Sequence, residues 1–296
     1  MPEIPDLTVY TEAINERLSG SVFERAMIAS PFLLRTVQPS MDEFVGLKLL
    51  GCERMAKQLV FRFESEYAWV VHLMISGRFQ FAEDFKPPAK RNGLAAFEFS
   101  AGTLQFTEAS KKKRASLKLV QGAEQLAALN PGGLEVQNIS LNEFVQQLSH
   151  ANHTVKRTLT DQRIFAGIGN AYSDEILLRA RLSPYKQSSK LTEQEATQLF
   201  DACRSVLEEW TERLRQKAKN KFPAKVTAFH KEMAAHGKYK EPCPVCSAPI
   251  QRIVYAENES NYCAQCQTGG KLLADRSLSR LLKSSWPKNL EELENL

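Results

Sequence analysis

Two cysteine pairs near the C-terminal end constrain this chain more than any other feature. Cys243-Pro244-Val245-Cys246 and Cys263-Ala264-Gln265-Cys266 are separated by sixteen residues. A CxxC turn presents two thiolates to one ion, and two such turns fill a tetrahedral shell. One structural Zn2+ held by Cys243, Cys246, Cys263 and Cys266 is therefore expected. With all four positions taken by protein, no coordination site is left for a substrate. The intervening stretch QRIVYAENESNYC reads as a β-hairpin, so the module is a zinc ribbon. A dithiol redox role fits less well, because neither pair lies in a βαβ pattern. Cys52 and Cys203 are isolated and read as small buried apolar residues.

Upstream, residues 157–184, RTLTDQRIFAGIGNAYSDEILLRARLSP, read as helix, tight turn, helix. Leu159, Ile164 and Phe165 give the first helix an apolar face, with Thr160 or Asp161 placed to cap it near its start. Gly167 and Gly169 permit positive φ and close backbone approach. Ile176, Leu177 and Ala180 resume the helical spacing, and Pro184 ends it. Amides left unpaired where a helix begins, at the positive end of its dipole, suit a phosphate. Gly169 and the side chain of Asn170 are the candidate donors. A plain helical hairpin with a glycine turn would read the same way.

At the other end, Met1-Pro2-Glu3-Ile4-Pro5-Asp6 runs straight into Leu7, Tyr10, Ile14 and Leu18 at helical spacing. An initiator Met before a small residue is normally removed, which would expose Pro2 as a secondary amine. An α-amino group has a pKa of about 7.7–8.0, so part of it is neutral and nucleophilic at pH 7. Its attack on a sugar C1′ would give an iminium ion, with Glu3 adjacent to move protons. The same hexapeptide would serve equally as a stiffened loop with Asp6 as a helix cap.

From about residue 22 to residue 120 the pattern is that of strands. Residues 60–82 alternate aromatic and β-branched side chains, and residues 95–109 read as a hairpin around Gly102. Lys57 stands just before a strand, and residues 111–114, KKKR, form a basic loop that could hold phosphate or simply be solvated. A turn cluster, Asn130-Pro131-Gly132-Gly133, precedes a helical region that begins near Leu141–Leu148 and includes a long amphipathic helix through Leu199, Val206 and Leu207. The fold class is α+β. A chain of 296 residues with 43% hydrophobic content supports two cores and a small module, and a net charge of +5 permits a nucleic-acid partner. No run of 18 apolar residues occurs, so a membrane span is not expected. The first residues lack a secretory pattern, and a cytoplasmic protein with reduced thiols is expected.

These motifs, in this order, resemble the formamidopyrimidine-DNA glycosylase / endonuclease VIII family over roughly residues 2–266. The central segment is similar to that family's helix–two-turn–helix through Asp161, Gln162, Ala166, Gly167, Ile168, Gly169, Asn170, Tyr172, Asp174, Glu175 and Pro184. The resemblance implies Pro2 as the Schiff-base nucleophile, Glu3 as the acid–base and Lys57 as a phosphate ligand near the lesion. It places Ile75, or its neighbour Met74, in the gap left by an extruded base, where an apolar wedge replaces lost stacking. Gly169 and Asn170 would grip the backbone, as would Asn258 at the hairpin tip, with Lys271 and Arg276 as further cations. The chain departs from the family at four points. Asp6 stands where a glutamate is usual, Ile75 where Met is frequent, Asn258 where an arginine is usual, and the loop at 111–114 lacks an Arg-Phe pair.

The implied architecture is a β-sandwich-like domain with an N-terminal helix (1–130), a helical DNA-binding domain (131–240), a zinc finger (241–270) and an extension (271–296) in which Leu272 to Lys283 read as an amphipathic helix. The implied activity is a bifunctional DNA glycosylase and abasic-site lyase of base-excision repair, removing oxidised or ring-opened bases. Its partner is damaged DNA, its state monomeric, and its place the bacterial cytoplasm, at the nucleoid during repair. A non-catalytic binder of damaged or unusual DNA is the rival. The departures at Ile75, at the 111–114 loop and at Asn258 favour that rival, and Pro2-Glu3 disfavours it.

Overall fold

The structure, a computed structural model, describes residues 1–150, 152–223, 226–255, 258–274, 280–281, 285 and 287–294. The chain folds as two compact units, one of Met1–Pro131 with Glu209–Ala228 and the other of Gly132–Glu208 with Phe229–Leu296.

The first unit opens with α1 (Ile4–Leu18), whose Leu7, Tyr10, Ile14 and Leu18 are fully buried, as their spacing requires. Strands β1 (Phe23–Ile28), β2 (Leu49–Met55), β3 (Gln58–Phe63), β4 (Tyr67–His72), β5 (Gly77–Ala82), β6 (Gly93–Phe99), β7 (Gly102–Glu108) and β8 (Ser116–Gln121) follow. They form two four-stranded antiparallel sheets, ordered β1-β6-β7-β5 and β2-β3-β4-β8. The alternating run 60–82 thus divides into three strands. It breaks first at Glu64–Glu66, where Ser65 turns left-handed (φ 57°), and again at the turn before Gly77. The hairpin expected around Gly102 is β6–β7.

Side chains from both sheets share one core. Trp69 of β4 lies 5.0 Å from the ring of Phe23, 4.7 Å from Phe63 and 4.9 Å from Phe97, centroid to centroid. Residues far along the chain complete this core: Phe222 packs 5.6 Å from Tyr10, and Val226 is buried in the same cluster. A short helix, α2 (Ala123–Ala127), follows β8.

The second unit contains α3 (Leu141–His150), α4 (Val155–Thr160), α5 (Asn170–Arg179), the long α6 (Glu193–Ala218, its last turns counted in the first unit), strands β9 (Ile250–Tyr255) and β10 (Asn258–Cys263), and α7 (Ala264–Thr268). Phe144 stacks at 4.8 Å on Phe165 and 5.2 Å on Phe200 to form its helical core. The first helix of the central motif is shorter than its apolar pattern suggests. It starts under Thr154, whose hydroxyl accepts from the Arg157 amide (3.4 Å), and stops at Thr160. Asp161 therefore closes this helix and does not open it, and its carboxylate accepts the Arg163 amide (3.0 Å). Ile164 and Phe165 belong to the turn. There the Leu134 amide donates to the Ile164 carbonyl (2.9 Å), and a Cβ on Gly133 would stand 2.3 Å from the Gln162 carbonyl oxygen, so only glycine fits.

The extension does not begin as a helix. Leu272 donates to the Lys288 carbonyl (2.9 Å) and Leu273 to the Tyr262 hydroxyl (2.8 Å), while Leu272, Leu273 and Leu290 pack on Ile253 and Tyr262. Its start is extended because pairing with residues ahead of a short helix at Leu290–Glu294 covers the apolar back of the hairpin. Further along the expected helix, Arg280 and Leu281 are helical, while residues 275–279, Arg276 among them, and 282–283 lie outside the described residues. Among the described residues, no helix is long and apolar enough to cross a membrane.

The indole N–H of Trp69 has no hydrogen-bond partner among the described residues, so this side chain stabilises by packing alone. Trp69→Ala should therefore lower unfolding free energy by about 3–5 kcal/mol in a denaturant titration, and Trp69→Phe by much less. Equal losses in the two variants would contradict a purely apolar role.

Candidate functional site

The first unit gathers Pro2, Glu3 and Lys57. Glu3 is the N-cap of α1, and its own amide donates to Asp6 Oδ2 (3.0 Å) while the Asp6 amide bonds back to the Glu3 side chain. This reciprocal box fixes the peptide that follows Pro2. Pro2, Glu3 and Asp6 are all buried. Burial holds the terminal ammonium, which is that of Met1 here, below its ordinary pKa, and the charges of Arg78 and Lys57 add to the effect. The carboxylates of Glu3 and Asp6 oppose it.

Lys57 occupies the tight turn from β2 to β3, beside left-handed Ala56 (φ 52°). Burial lowers its pKa, and Glu3 raises it, so the Glu3 carboxylate lies in the field of both the terminal amine and Lys57. Burial, then the charge of Lys57, pushes His72 down to about 4, leaving a neutral ring at pH 7. Its Nδ1 accepts the Met74 amide (3.0 Å).

That amide opens the turn from β4 to β5. Met74 is half-buried and left-handed (φ 54°), whereas Ile75 is 57% exposed. Of the two wedge candidates, Ile75 is the one presented outward. Arg78 supports the turn by donating to the carbonyls of Ile75 (3.1 Å) and Gly77 (2.5 Å).

In the second unit Gln162 clamps the two-turn segment. Its side-chain amide donates to the Thr160 (2.9 Å) and Ile168 (2.8 Å) carbonyls and accepts the Gly167 amide (2.8 Å). Gly167 takes φ +81°, which needs glycine, while Gly169 is extended (φ −134°) and caps α5. The Asn170 side chain donates to the Glu259 carbonyl of β10 (2.5 Å), so the residue expected to grip phosphate also ties the turn to the hairpin.

Next to it are two carboxylates whose function sequence reasoning missed. Asp174, with no exposed surface, accepts from Lys156, from His236 Nδ1 (2.8 Å), from the Ser260 hydroxyl (3.2 Å) and from the Asn261 amide (3.1 Å). Glu175 accepts the amides of Ala234 (2.8 Å), Ala235 (2.8 Å) and His236 (2.9 Å). The available signal was a polar trio, Ser173-Asp174-Glu175, on a helix whose neighbours are apolar.

The four cysteine sulfurs of Cys243, Cys246, Cys263 and Cys266 lie within 4.8 Å of one another. Sγ–Sγ separations of 4.0 Å (Cys243–Cys266) and 3.4 Å (Cys246–Cys263) bracket the roughly 3.8 Å of a tetrahedral zinc–thiolate site. The donor set fits one structural zinc. Asn258 begins β10, and its side chain lies outside the described residues. Lys271 is exposed just beyond the metal site, and its carbonyl accepts from Thr268 Oγ1 (2.6 Å).

Three family models match the chain in order: the formamidopyrimidine-DNA glycosylase N-terminal domain over residues 1–114, the formamidopyrimidine-DNA glycosylase H2TH domain over 130–220, and the zinc finger found in FPG and IleRS over 240–269. The chain is 29% identical to the formamidopyrimidine-DNA glycosylase of Desulfitobacterium hafniense, over 90% of its own length and 100% of that protein. It is 38% identical to an uncharacterized formamidopyrimidine-DNA glycosylase-like protein of Mycobacterium tuberculosis, over 55% of this chain and 99% of that one. Its fold superposes on MutM in complex with carbocyclic 8-oxo-G containing DNA with a TM-score of 0.80 at 24% identity, covering 90% of this chain and 100% of the other.

Because binding of a structural zinc contributes about 10–16 kcal/mol to a small ribbon, the hairpin should not survive loss of a ligand. The wild-type chain should carry one zinc per molecule by elemental analysis, and Cys246→Ser should carry much less while the core around Trp69 unfolds as before. Undiminished zinc in the variant would overturn the four-thiolate assignment.

Proposed function

The chain belongs to the formamidopyrimidine-DNA glycosylase family, and from that premise we propose that it is a base-excision-repair DNA glycosylase with abasic-site lyase activity, working through the amine of Pro2. The observation that carries this reading is the convergence of Pro2, Glu3 and Lys57 at the buried start of α1.

Removal of Met1 transfers the terminal amine to Pro2. Burial favours its neutral, nucleophilic form. The Pro2 nitrogen bonds to C1′ of an extruded nucleotide as the N-glycosidic bond breaks and the damaged base departs with a proton. Glu3, having first taken a proton from the Pro2 ammonium, gives it to the sugar ring oxygen; the ring opens, the iminium ion forms, and the Glu3 carboxylate is left free to accept the C2′ proton. The iminium draws electrons from the C2′–H bond. Loss of that proton expels the 3′ phosphate and nicks the strand, and water then releases Pro2. Asp6 orients Glu3 through the reciprocal box.

Lys57 holds a phosphate beside the lesion. Ile75 fills the vacated stack, with Met74 behind it. The Gly169 amide, Asn170, Asn258 and Lys271 contact the backbone from the second unit. One N–H of the Asn170 amide serves Glu259, and an amide has a second for phosphate. Zinc shapes the hairpin and takes no part in the chemistry. The substrate class is DNA bearing oxidised or ring-opened bases, and the active form is a monomer in the bacterial cytoplasm.

Glu3→Gln should slow single-turnover cleavage of such DNA by about 10²–10⁴-fold, the usual scale for a general acid–base, and Pro2→Gly should slow it steeply as well. Both variants should keep their DNA affinity within a few-fold in a binding titration. Unchanged cleavage in Pro2→Gly would remove Pro2 from the mechanism.

A further inference from the structure

A third buried carboxylate, outside the chemistry above, joins two surface elements. Gly77, which follows the Ile75 turn, pairs in register with Glu108 at the end of β7. The Glu108 side chain is only 1% exposed. Its carboxylate accepts the amide of Arg114 (3.1 Å to Oε1, 3.0 Å to Oε2), the amide of Ala115 (3.1 Å) and the hydroxyl of Ser76 (3.5 Å). Ser76 Oγ in turn accepts the Ser110 amide (3.2 Å), and the Lys113 ammonium reaches the Glu108 carbonyl.

The exit of the basic loop, Arg114-Ala115, thus closes directly on the carboxylate that touches the wedge turn, and its entry, Ser110, closes on Ser76 of that turn, which bridges to the same carboxylate. An ionised carboxylate buried beside an open loop is tolerated only when hydrogen bonds saturate it, and charge-assisted bonds of this kind are the strong ones. None of these side-chain bonds belongs to the β5–β7 ladder, so the sheet does not require them.

We propose that Glu108 is a positioning residue that fuses the Ile75 turn and the 109–115 loop into one element, so that insertion of the wedge and the grip of Lys111 and Lys112 on the backbone occur together. This rests on the glycosylase reading above and deepens it. It assigns Glu108, with Ser76 as its bridge, to duplex recognition and not to the reaction at C1′. A single strand offers no stack for the wedge to enter, so a single-stranded abasic site should bypass Glu108 while a duplex one should not.

The test uses the full-length, zinc-loaded chain with Met1 removed, as wild type, Glu108→Gln and Ser76→Ala. The first readout is strand cleavage at an abasic site in single-stranded and in duplex DNA. The second is the fluorescence of 2-aminopurine opposite the abasic site, which rises when the stack is opened and needs no chemistry. Glu108→Gln should lower duplex cleavage about tenfold, the scale of one lost hydrogen bond to a charged group, and lower the fluorescence amplitude, with single-strand cleavage within twofold of wild type. Ser76→Ala should do the same about threefold.

Equal losses on both substrates, or none on the duplex with full fluorescence in either variant, would overturn the proposal. If wild type cleaves neither substrate, the glycosylase reading fails, and the fluorescence comparison still decides the role of Glu108. Should Glu108→Gln not fold, Ser76→Ala alone carries the same comparison.

Discussion

The second unit depends on two adjacent buried carboxylates. Removing Asp174 and Glu175 from water costs several kcal/mol each unless their lone pairs are filled. They are filled by Lys156, His236, Ser260 and Asn261 around Asp174, and by three consecutive main-chain amides around Glu175. Those donors come from α4, from the turn segment ahead of the first CxxC and from β10. Satisfying the two charges therefore sets the positions of three separate segments at once. The Asn170–Glu259 bond and the four thiolates extend the same constraint to the hairpin. The turn proposed to hold phosphate is thus fixed by the chain's own hydrogen bonds, which is what low-cost recognition requires.

The same device recurs at the start of the chain on a smaller scale. Glu3 and Asp6 satisfy one another's amides, and the two carboxylates counter the burial that lowers the amine's pKa. The opposition tempers the lowering of the terminal amine's pKa that burial produces. Lys57 adds its charge from the β2–β3 turn, and His72, pushed down to about 4 by burial and by the charge of Lys57, stays neutral. Asp6, shorter than the glutamate usual in the family, still reaches the Glu3 amide because both lie in one helical turn.

Features governed by local periodicity or spacing were readable in the chain itself. The helical spacing of Leu7, Tyr10, Ile14 and Leu18 named the buried face of α1, Gly102 marked its hairpin, and the CxxC pairs announced the metal site. Ile164 and Phe165 misled because a turn that packs on Phe144 needs the same apolar residues as a helix face. Buried Glu108, Asp174 and Glu175 were invisible because charged residues read as surface unless their partners are known, and those partners come from elsewhere in the chain. Phe222 on Tyr10 escaped for the same reason. The extension reads as an amphipathic helix by periodicity, yet Leu272 and Leu273 satisfy that apolarity against Tyr262 in extended form.

The central claim is that the amine of Pro2 forms a covalent bond to the sugar. Its most direct test is to incubate the protein, with its first residue verified by mass as Pro2, with abasic-site duplex and borohydride, and then to sequence the cross-linked peptide. The account predicts a reduced adduct carried by Pro2. Protein that has lost Met1, binds the DNA and yields no adduct would contradict it and identify a binding protein in its place.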